Sequence, residues 1–318
     1  METMETNPTP NEERQENEQN LENEDAAFHK MTSKVITYSL AALFFLVAPI
    51  TSSLIFEMFV KNAVTYYIVS LFIHCSFLLF ISVVLISLFR HIDLDPSHPL
   101  RKYRIYPLSL YEAQKHYKEL APSFPEFYKK LVGSTAIVFT FSFWLLYFTN
   151  RLAPAYIPVT FSSLLLNGFL LSCTFVTTDF WYYVLHRLYH IPFLYKYFHK
   201  THHEYHNVTV LTSFHASLTE YIFFDIPIYN FGWLSLLYFG FPLHTTLVTL
   251  STAIILIDQI HTHSGYDVPW AVDKTVPHLS ESRFHFYHHK LAKGSYGALF
   301  GIFDRLFGSY KLYHEKHV

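Results

Sequence analysis

The sequence predicts an all-α protein, a polytopic integral membrane helical bundle with a histidine-lined cap on its cytosolic side. Three observations carry this expectation. The chain of 318 residues is 51% hydrophobic and only 15% charged, whereas soluble domains carry about 25% charged residues. Its apolar residues fall in long runs, each about the length of a membrane-crossing helix. Its histidines gather in three short clusters: HxxxH at His186 and His190, HxxHH at His199, His202 and His203, and HxxHH at His285, His288 and His289.

The chain opens on an acidic tail. Residues 1–30 hold nine acids against two bases, a net charge of −7, with hardly any apolar side chain. Such a segment cannot bury enough surface to fold, and it lacks the basic start and apolar middle of a signal peptide. The whole chain has net charge −2, so the body carries +5. That balance suits an anionic membrane surface. No basic, aromatic-interleaved motif points to a nucleic acid. Cys75 and Cys173 lie inside apolar runs and read as packed thiols, not as a disulfide or metal ligands.

Apolar runs at 35–56 and 63–89 are joined by a short link, and runs at 131–148 and 161–178 by another. At ~20 residues per span these are two transmembrane hairpins; core helices of a soluble protein are the alternative. The segment 90–130 is rich in Lys and Arg, while the hairpin tips hold only Lys61 and Arg151. The positive-inside rule then puts 90–130, the N-terminus and the ends of both hairpins in the cytosol. The helix that starts at Phe161 should continue past the bilayer by ~15 Å over residues 181–190. His186 and His190 would sit just beyond the cytosolic face, with Asp179 on the same helical face as His186. Runs at 218–239 and 243–260 form a third hairpin or re-entrant pieces. Either way, all three clusters share one side of the membrane.

Residues three and four apart on a helix share a face, so each cluster aims two or three imidazoles at one point. Eight such groups exceed what one tetrahedral ion needs and point to a pair of metal ions. Imidazole suits iron, copper, zinc and nickel. A cytosolic site at the mouth of an apolar bundle meets membrane lipid, whose unactivated C–H bonds yield to activated oxygen and a redox metal. Zinc has no redox chemistry. Two iron ions with O2 as co-substrate are the simplest solution.

The joint spacing resembles the fatty acid hydroxylase and sterol desaturase superfamily of membrane di-iron oxygenases. Asp179-Phe-Trp-Tyr-Tyr-Val-Leu-His186 is similar to that family's first box with its upstream Asp, and Tyr197-Phe-His199-Lys-Thr-His202-His203-Glu204 to its second. His263-Ser-Gly-Tyr-Asp-Val-Pro-Trp270 resembles a string of the sterol-acting branch, the methylsterol monooxygenases and cholesterol 25-hydroxylases. Gly301-Ile-Phe-Asp304-Arg-Leu-Phe-Gly308 resembles the segment that closes the family domain. The likeness implies four divisions: a disordered tail at 1–30, a first hairpin with its basic link at 31–130, a catalytic domain at 131–312 and a short tail at 313–318.

The resemblance also implies roles. The eight box histidines would hold two irons, His263 would be a further ligand, and Asp179 would orient a ligand from behind. The implied activity is an O2-dependent hydroxylation or oxidation of a sterol or related lipid by an endoplasmic reticulum membrane enzyme. Electrons would come from cytochrome b5 and its NAD(P)H-dependent reductase, because no such domain is visible in this chain. Hydroxylation of a fatty acyl or sphingolipid chain and sterol desaturation are the alternatives, with metal transport or an inactive lipid-binding scaffold behind them. Two departures stand out. Ser217-Leu-Thr-Glu220 replaces the histidine-proline pair of many sterol-oxidising relatives and looks more like the cholesterol 25-hydroxylase branch. The third box opens on a single His285 where relatives often have two histidines.

His206, His215, His244 and His278 are isolated and read as packed or solvated side chains. His261 and His263 are two apart and would point away from each other on a helix, so at most one is a ligand; the resemblance selects His263. Trp181, Tyr182, Tyr183 and Tyr189 read as an interfacial aromatic belt, and 90–130 as a solvated loop.

Overall fold

The computed structural model describes residues 63–121, 160–241, 243, 245–269, 271, 274, 279 and 282–311. Among them the regular structure is helical and no strand forms: α1 (Ala63–Leu94), α2 (Leu110–Leu120), α3 (Phe161–Tyr189), α4 (Ile226–Tyr238), α5 (Thr245–Thr262), α6 (Ser282–Leu291) and α7 (Ile302–Leu306). The expected spans at 35–56 and 131–148, both tails, His244 and His278 lie outside the described residues.

Among the described residues two helices are long and apolar enough to cross a membrane, α1 over Cys75–Leu94 and α3 over its whole length. Phe72, Phe80, Val84 and Leu88 on α1 and Phe161, Leu165, Leu166 and Phe169 on α3 are exposed. Water penalises such contiguous apolar surface and lipid does not. The reciprocal Thr160–Ser163 cap starts α3, which then runs unbroken to Tyr189, with His186 in its last turn and His190 at its C-cap. Cys75 and Cys173 are free and partly buried.

The core has two main parts. Leu170, Trp233, Leu236, Leu243 and Leu247 join α3, α4 and the start of α5. Leu78, Ile86, Tyr117, Leu211 and Ile260 join α1, α2, α5 and the 210–214 turn. The α3–α4 crossing is tight at Gly232. Thr177 Oγ1 donates to its carbonyl at 3.0 Å, and a methyl group there would fall 1.9 Å from Thr178 Oγ1. Small residues at crossings let helix backbones approach closely.

The aromatic collar faces inward and not toward an interface. Tyr183 and Tyr189 are buried, the Tyr183 hydroxyl lies 3.0 Å from Ser309 Oγ, and Trp181 Nε1 donates to Ser235 Oγ at 2.9 Å. The last turns of α3 are covered by α4, the helical turns before it and α7, so these rings fill the space between elements. The basic segment is also less solvated than its composition suggests: Arg104 pairs with Asp93 at 2.7 Å, their side chains 4% and 0% exposed.

After α3 the chain leaves regular helix. A turn begins at Pro192, a widened π turn spans Tyr195–His199, and a 3-10 turn spans His202–Glu204. Lys200 N donates to Tyr195 O at 2.8 Å to close the wide turn. A second π turn, Tyr221–Asp225, leads into α4, so the apolar run 218–239 is one helical stretch with a register change. Such widened turns recur at functional sites; here one carries His199 and the other follows Glu220.

Candidate metal centre

The last turn of α3, the turns after it, the end of α5 and the whole of α6 point nine histidines at two adjacent places. His186, His190, His199, His203 and His288 form one cluster and His202, His263, His285 and His289 the other, the ligand nitrogens of each lying within 4.8 Å of one another. In the first, His199 Nε2 is 3.1 Å from that of His186 and 3.0 Å from that of His203, which is 3.2 Å from His288 Nε2. In the second, His263 Nε2 is the hub, at 3.2, 3.0 and 3.1 Å from the Nε2 atoms of His202, His285 and His289. The two clusters touch: the His203 and His289 rings stack at 4.5 Å.

The boxes are divided between the clusters. In each HxxHH the first and last histidines, four apart, turn to one cluster and the middle one turns to the other. The second box gives His199 and His203 to the five-histidine cluster and His202 to the four-histidine one, while the third box does the reverse. His186 and His190 complete the first cluster and His263 the second. The second box achieves this although His199 ends a π turn and His203 lies in a 3-10 turn; their Nε2 atoms are 3.0 Å apart.

The hydrogen bonds behind the rings decide what these contacts are. The Nδ1 atoms of His186, His263 and His288 lie 2.7, 2.7 and 2.8 Å from the carbonyl oxygens of Tyr296, Gln259 and Gly294, and His202 Nδ1 lies 3.3 Å from that of His215. A carbonyl oxygen only accepts, so each Nδ1 carries the proton and each Nε2 presents a lone pair. His263 and His202 therefore face each other lone pair to lone pair, as do His186 and His199, whose Nδ1 is held 2.7 Å from Glu220 Oε1. Bare lone pairs repel at such distances, and a cation between them removes the repulsion. Imidazole nitrogens bound ~2.1 Å from one ion and at right angles to each other sit ~3.0 Å apart, close to the observed spacing. His190 Nε2, buried without a hydrogen-bond partner, fits the same role. The residues present fit a pair of metal ions.

Burial keeps the imidazoles neutral, the form that binds metal. It pushes His190 and His263 down to about 4. Burial, then the neighbouring imidazoles, holds His199, His202, His203, His285 and His289 well below the ordinary range.

Asp179 stands one layer further back than the resemblance implies. It is buried, and its Oδ1 accepts from the backbone N–H groups of Ala298 and Phe300 at 3.1 and 3.2 Å; its Oδ2 has no hydrogen-bond partner. Its bonds thus secure the loop whose Tyr296 carbonyl holds His186. Among the described residues, the carboxylate that meets a ring nitrogen of a clustered histidine is Glu220, at His199 Nδ1. The sequence signal for it was one acid at the head of an apolar run, three residues after the Ser217 N-cap. His261 points elsewhere, with its ring nitrogens 3.2 and 3.3 Å from Ser282 Oγ. His215 Nε2 meets Glu204 at 2.8 Å, and His206 Nδ1 lies 3.3 Å from the His289 carbonyl. Both flank the clusters without joining them.

Residues 171–309 match the model of the fatty acid hydroxylase family. The chain is 33% identical over 142 residues to methylsterol monooxygenase 1 of Rattus norvegicus, covering 44% of this chain and 45% of that protein. It is 30% identical over 141 residues to the C-4 methylsterol oxidase of Schizosaccharomyces pombe, 44% of this chain and 47% of the relative. A very-long-chain aldehyde decarbonylase of Oryza sativa subsp. indica is 34% identical over 147 residues, 44% of this chain and 52% of the relative. The chain spans about half the length of the curated relatives it matches. No solved structure matches it. With its histidines gathered in two metal-ready clusters on a helical frame, residues 171–309 of the chain are similar to the fatty acid hydroxylase family.

Proposed function

We propose that the protein is a membrane di-iron monooxygenase that oxidises a sterol or closely related lipid. The observation that carries this reading is the pair of buried clusters of neutral imidazoles, five of which (His186, His199, His202, His263 and His288) have their outer nitrogen already on a protein oxygen. Two irons bound there would supply oxidative C–H chemistry with O2 and external electrons. The nine histidines would be the ligands. The chain's own part is to hold them unprotonated, aimed and dry. The carbonyls of Tyr296, Gln259, Gly294 and His215 and the carboxylate of Glu220 fix ring orientation and tautomer, which in metal sites strengthens the ligand. The apolar surfaces of the helices that converge on the clusters would hold the substrate's hydrocarbon body. Its placement then selects the carbon that reacts.

The methylsterol names among the relatives favour a sterol. The aldehyde decarbonylase among them supports a second reading, in which the same centre acts on a long-chain acyl derivative. We further propose, from the resemblance in the boxes, an endoplasmic reticulum location with the clusters on the cytosolic side and a separate cytochrome b5-type electron donor.

The test is metal analysis with lipid profiling. Protein purified in detergent should hold about two irons per chain, in line with two clusters. Cells lacking the protein should accumulate an unoxidised sterol. Absence of bound iron together with an unchanged lipid profile would overturn the reading.

A further inference from the structure

One buried polar group lies outside the family-matched residues yet touches the segments that carry the ligands. Asp93, at the end of α1, is completely buried. Arg104 Nη1 donates to its Oδ1 at 2.7 Å, the Tyr266 hydroxyl to the same oxygen at 2.7 Å, and the Tyr117 hydroxyl to Oδ2 at 2.8 Å. The guanidinium then reaches two backbone carbonyls: Nη1 donates to Ser264 O at 3.2 Å and Nη2 to Val208 O at 2.6 Å. Ser264 follows His263 directly, and Val208 lies on the stretch that leaves the second histidine box.

The same segment is stitched to the His263 turn by its backbone. Ile105 N donates to Gly265 O at 3.0 Å and Asp267 N to Tyr103 O at 2.9 Å. Gly265 takes φ +81, and a methyl group on it would lie 2.9 Å from both Arg104 Nη2 and Val208 O. Glycine is needed there for the backbone conformation and for the close approach of the guanidinium. His263 in turn is the hub of its cluster, within 3.2 Å of all three partner nitrogens. The backing groups of the five-histidine cluster, Tyr296, Gly294 and Glu220, lie elsewhere and make none of these contacts.

We propose that Arg104, set by Asp93, is a positioning residue for the four-histidine cluster, clamping the turn that aims His263 and tying that cluster to the end of α1. A planar fork carries its donors on separate nitrogens and so spans an ion pair and two carbonyls, which the single nitrogen of an ammonium reaches less well. The inference rests on the reading that both clusters bind metal. It assigns to residues 93–105 a share of a metal site although the family match begins at residue 171.

The test is a cobalt(II) titration of the full-length, metal-free protein in detergent, followed by visible absorption and by metal-to-protein ratio after desalting. Wild type should take up two equivalents. Arg104→Gln should retain one, with the second weakened at least tenfold, while its helical circular dichroism stays unchanged. Arg104→Lys should fall between. If Arg104→Gln does not fold, Tyr266→Phe, which removes one hydroxyl from Asp93, should weaken the second equivalent several-fold and leave the first alone. Two equivalents at wild-type affinity in the variant that folds, or equal loss of both, would overturn the role of Arg104 alone. A wild-type protein that binds no cobalt would overturn the metal-centre reading beneath it.

Discussion

Asp179 and Asp304, far apart in the chain, grip one loop from its two ends. Asp304 accepts from Tyr296 N and Gly297 N at 2.8 and 2.6 Å, and Asp179 from Ala298 N and Phe300 N at 3.1 and 3.2 Å. The loop's Tyr296 carbonyl is the one that holds His186. Asp304→Ala leaves two backbone N–H groups without acceptors, at ~1.5–3 kcal/mol for each bond to a charged group. We expect a lower Tm and ~10–100-fold weaker metal binding in the five-histidine cluster, the usual scale for groups behind a ligand. Asp179→Asn keeps the Oδ1 acceptor, so its effect should be smaller. Metal titration and thermal melts of both variants check the order.

Glu220 offers a cleaner comparison. Glu220→Gln retains an oxygen for His199 Nδ1–H, whereas Glu220→Ala leaves that proton without an acceptor. The alanine variant should lose ~10–100-fold in metal affinity and most of its turnover, and the glutamine variant much less. Equal losses in metal-binding isotherms would mean that the charge, not the hydrogen bond, is what matters.

His202→Ala and His289→Ala remove imidazoles from the four-histidine cluster, and under the proposed function each should abolish lipid oxidation and lower bound iron. His244→Ala should do neither. Product analysis beside iron quantification in the three variants decides this, and full activity in all of them would end the shared-centre reading.

Gly232→Ala tests the helix crossing alone. The added methyl group would meet Thr178 Cα at 2.9 Å as well as its hydroxyl, so the backbones must separate. Overpacking of this kind costs ~1–3 kcal/mol. A reduced Tm with iron content preserved is the expected result.

Acid should destabilise the metal-free protein in a defined window. Unfolded histidine titrates near 6.5, whereas His190 and His263 are held down to about 4 in the fold. The unfolded chain therefore binds more protons between these values, and stability falls as pH drops from 6.5 toward 4. Because many buried histidines share the direction, the decline should be steep. Melting of the metal-free protein from pH 8 to 4 measures it.

The two histidine clusters are legible in the sequence because four-residue spacing survives a change of local structure: His285 and His289 pair on an α-helix, and His199 and His203 pair although one ends a π turn and the other lies in a 3-10 turn. The long α3 helix is legible from its length and hydropathy. The backing groups are not. Glu220 shows no periodicity, and its partner His199 is fixed only when the turns on either side of it fold back. Asp179 reads as a histidine partner because it shares a helical face with His186, but the loop at 296–300 intervenes, and no local pattern announces a loop contact across more than a hundred residues. Arg104 reads as one more charge in a basic link until Asp93 and the His263 turn are placed around it.

The division of each HxxHH box between two clusters also bears on how the protein is made. The five-histidine cluster needs His288 beside His186, and the four-histidine cluster needs His285 and His289 beside His202. A chain emerging from the ribosome up to α5 exposes the first two boxes but owns no finished pocket. On the proposed reading both metal sites are therefore completed late in biogenesis, after α6 has been synthesised and docked. Until then the five-histidine cluster lacks His288 and the four-histidine cluster lacks both His285 and His289.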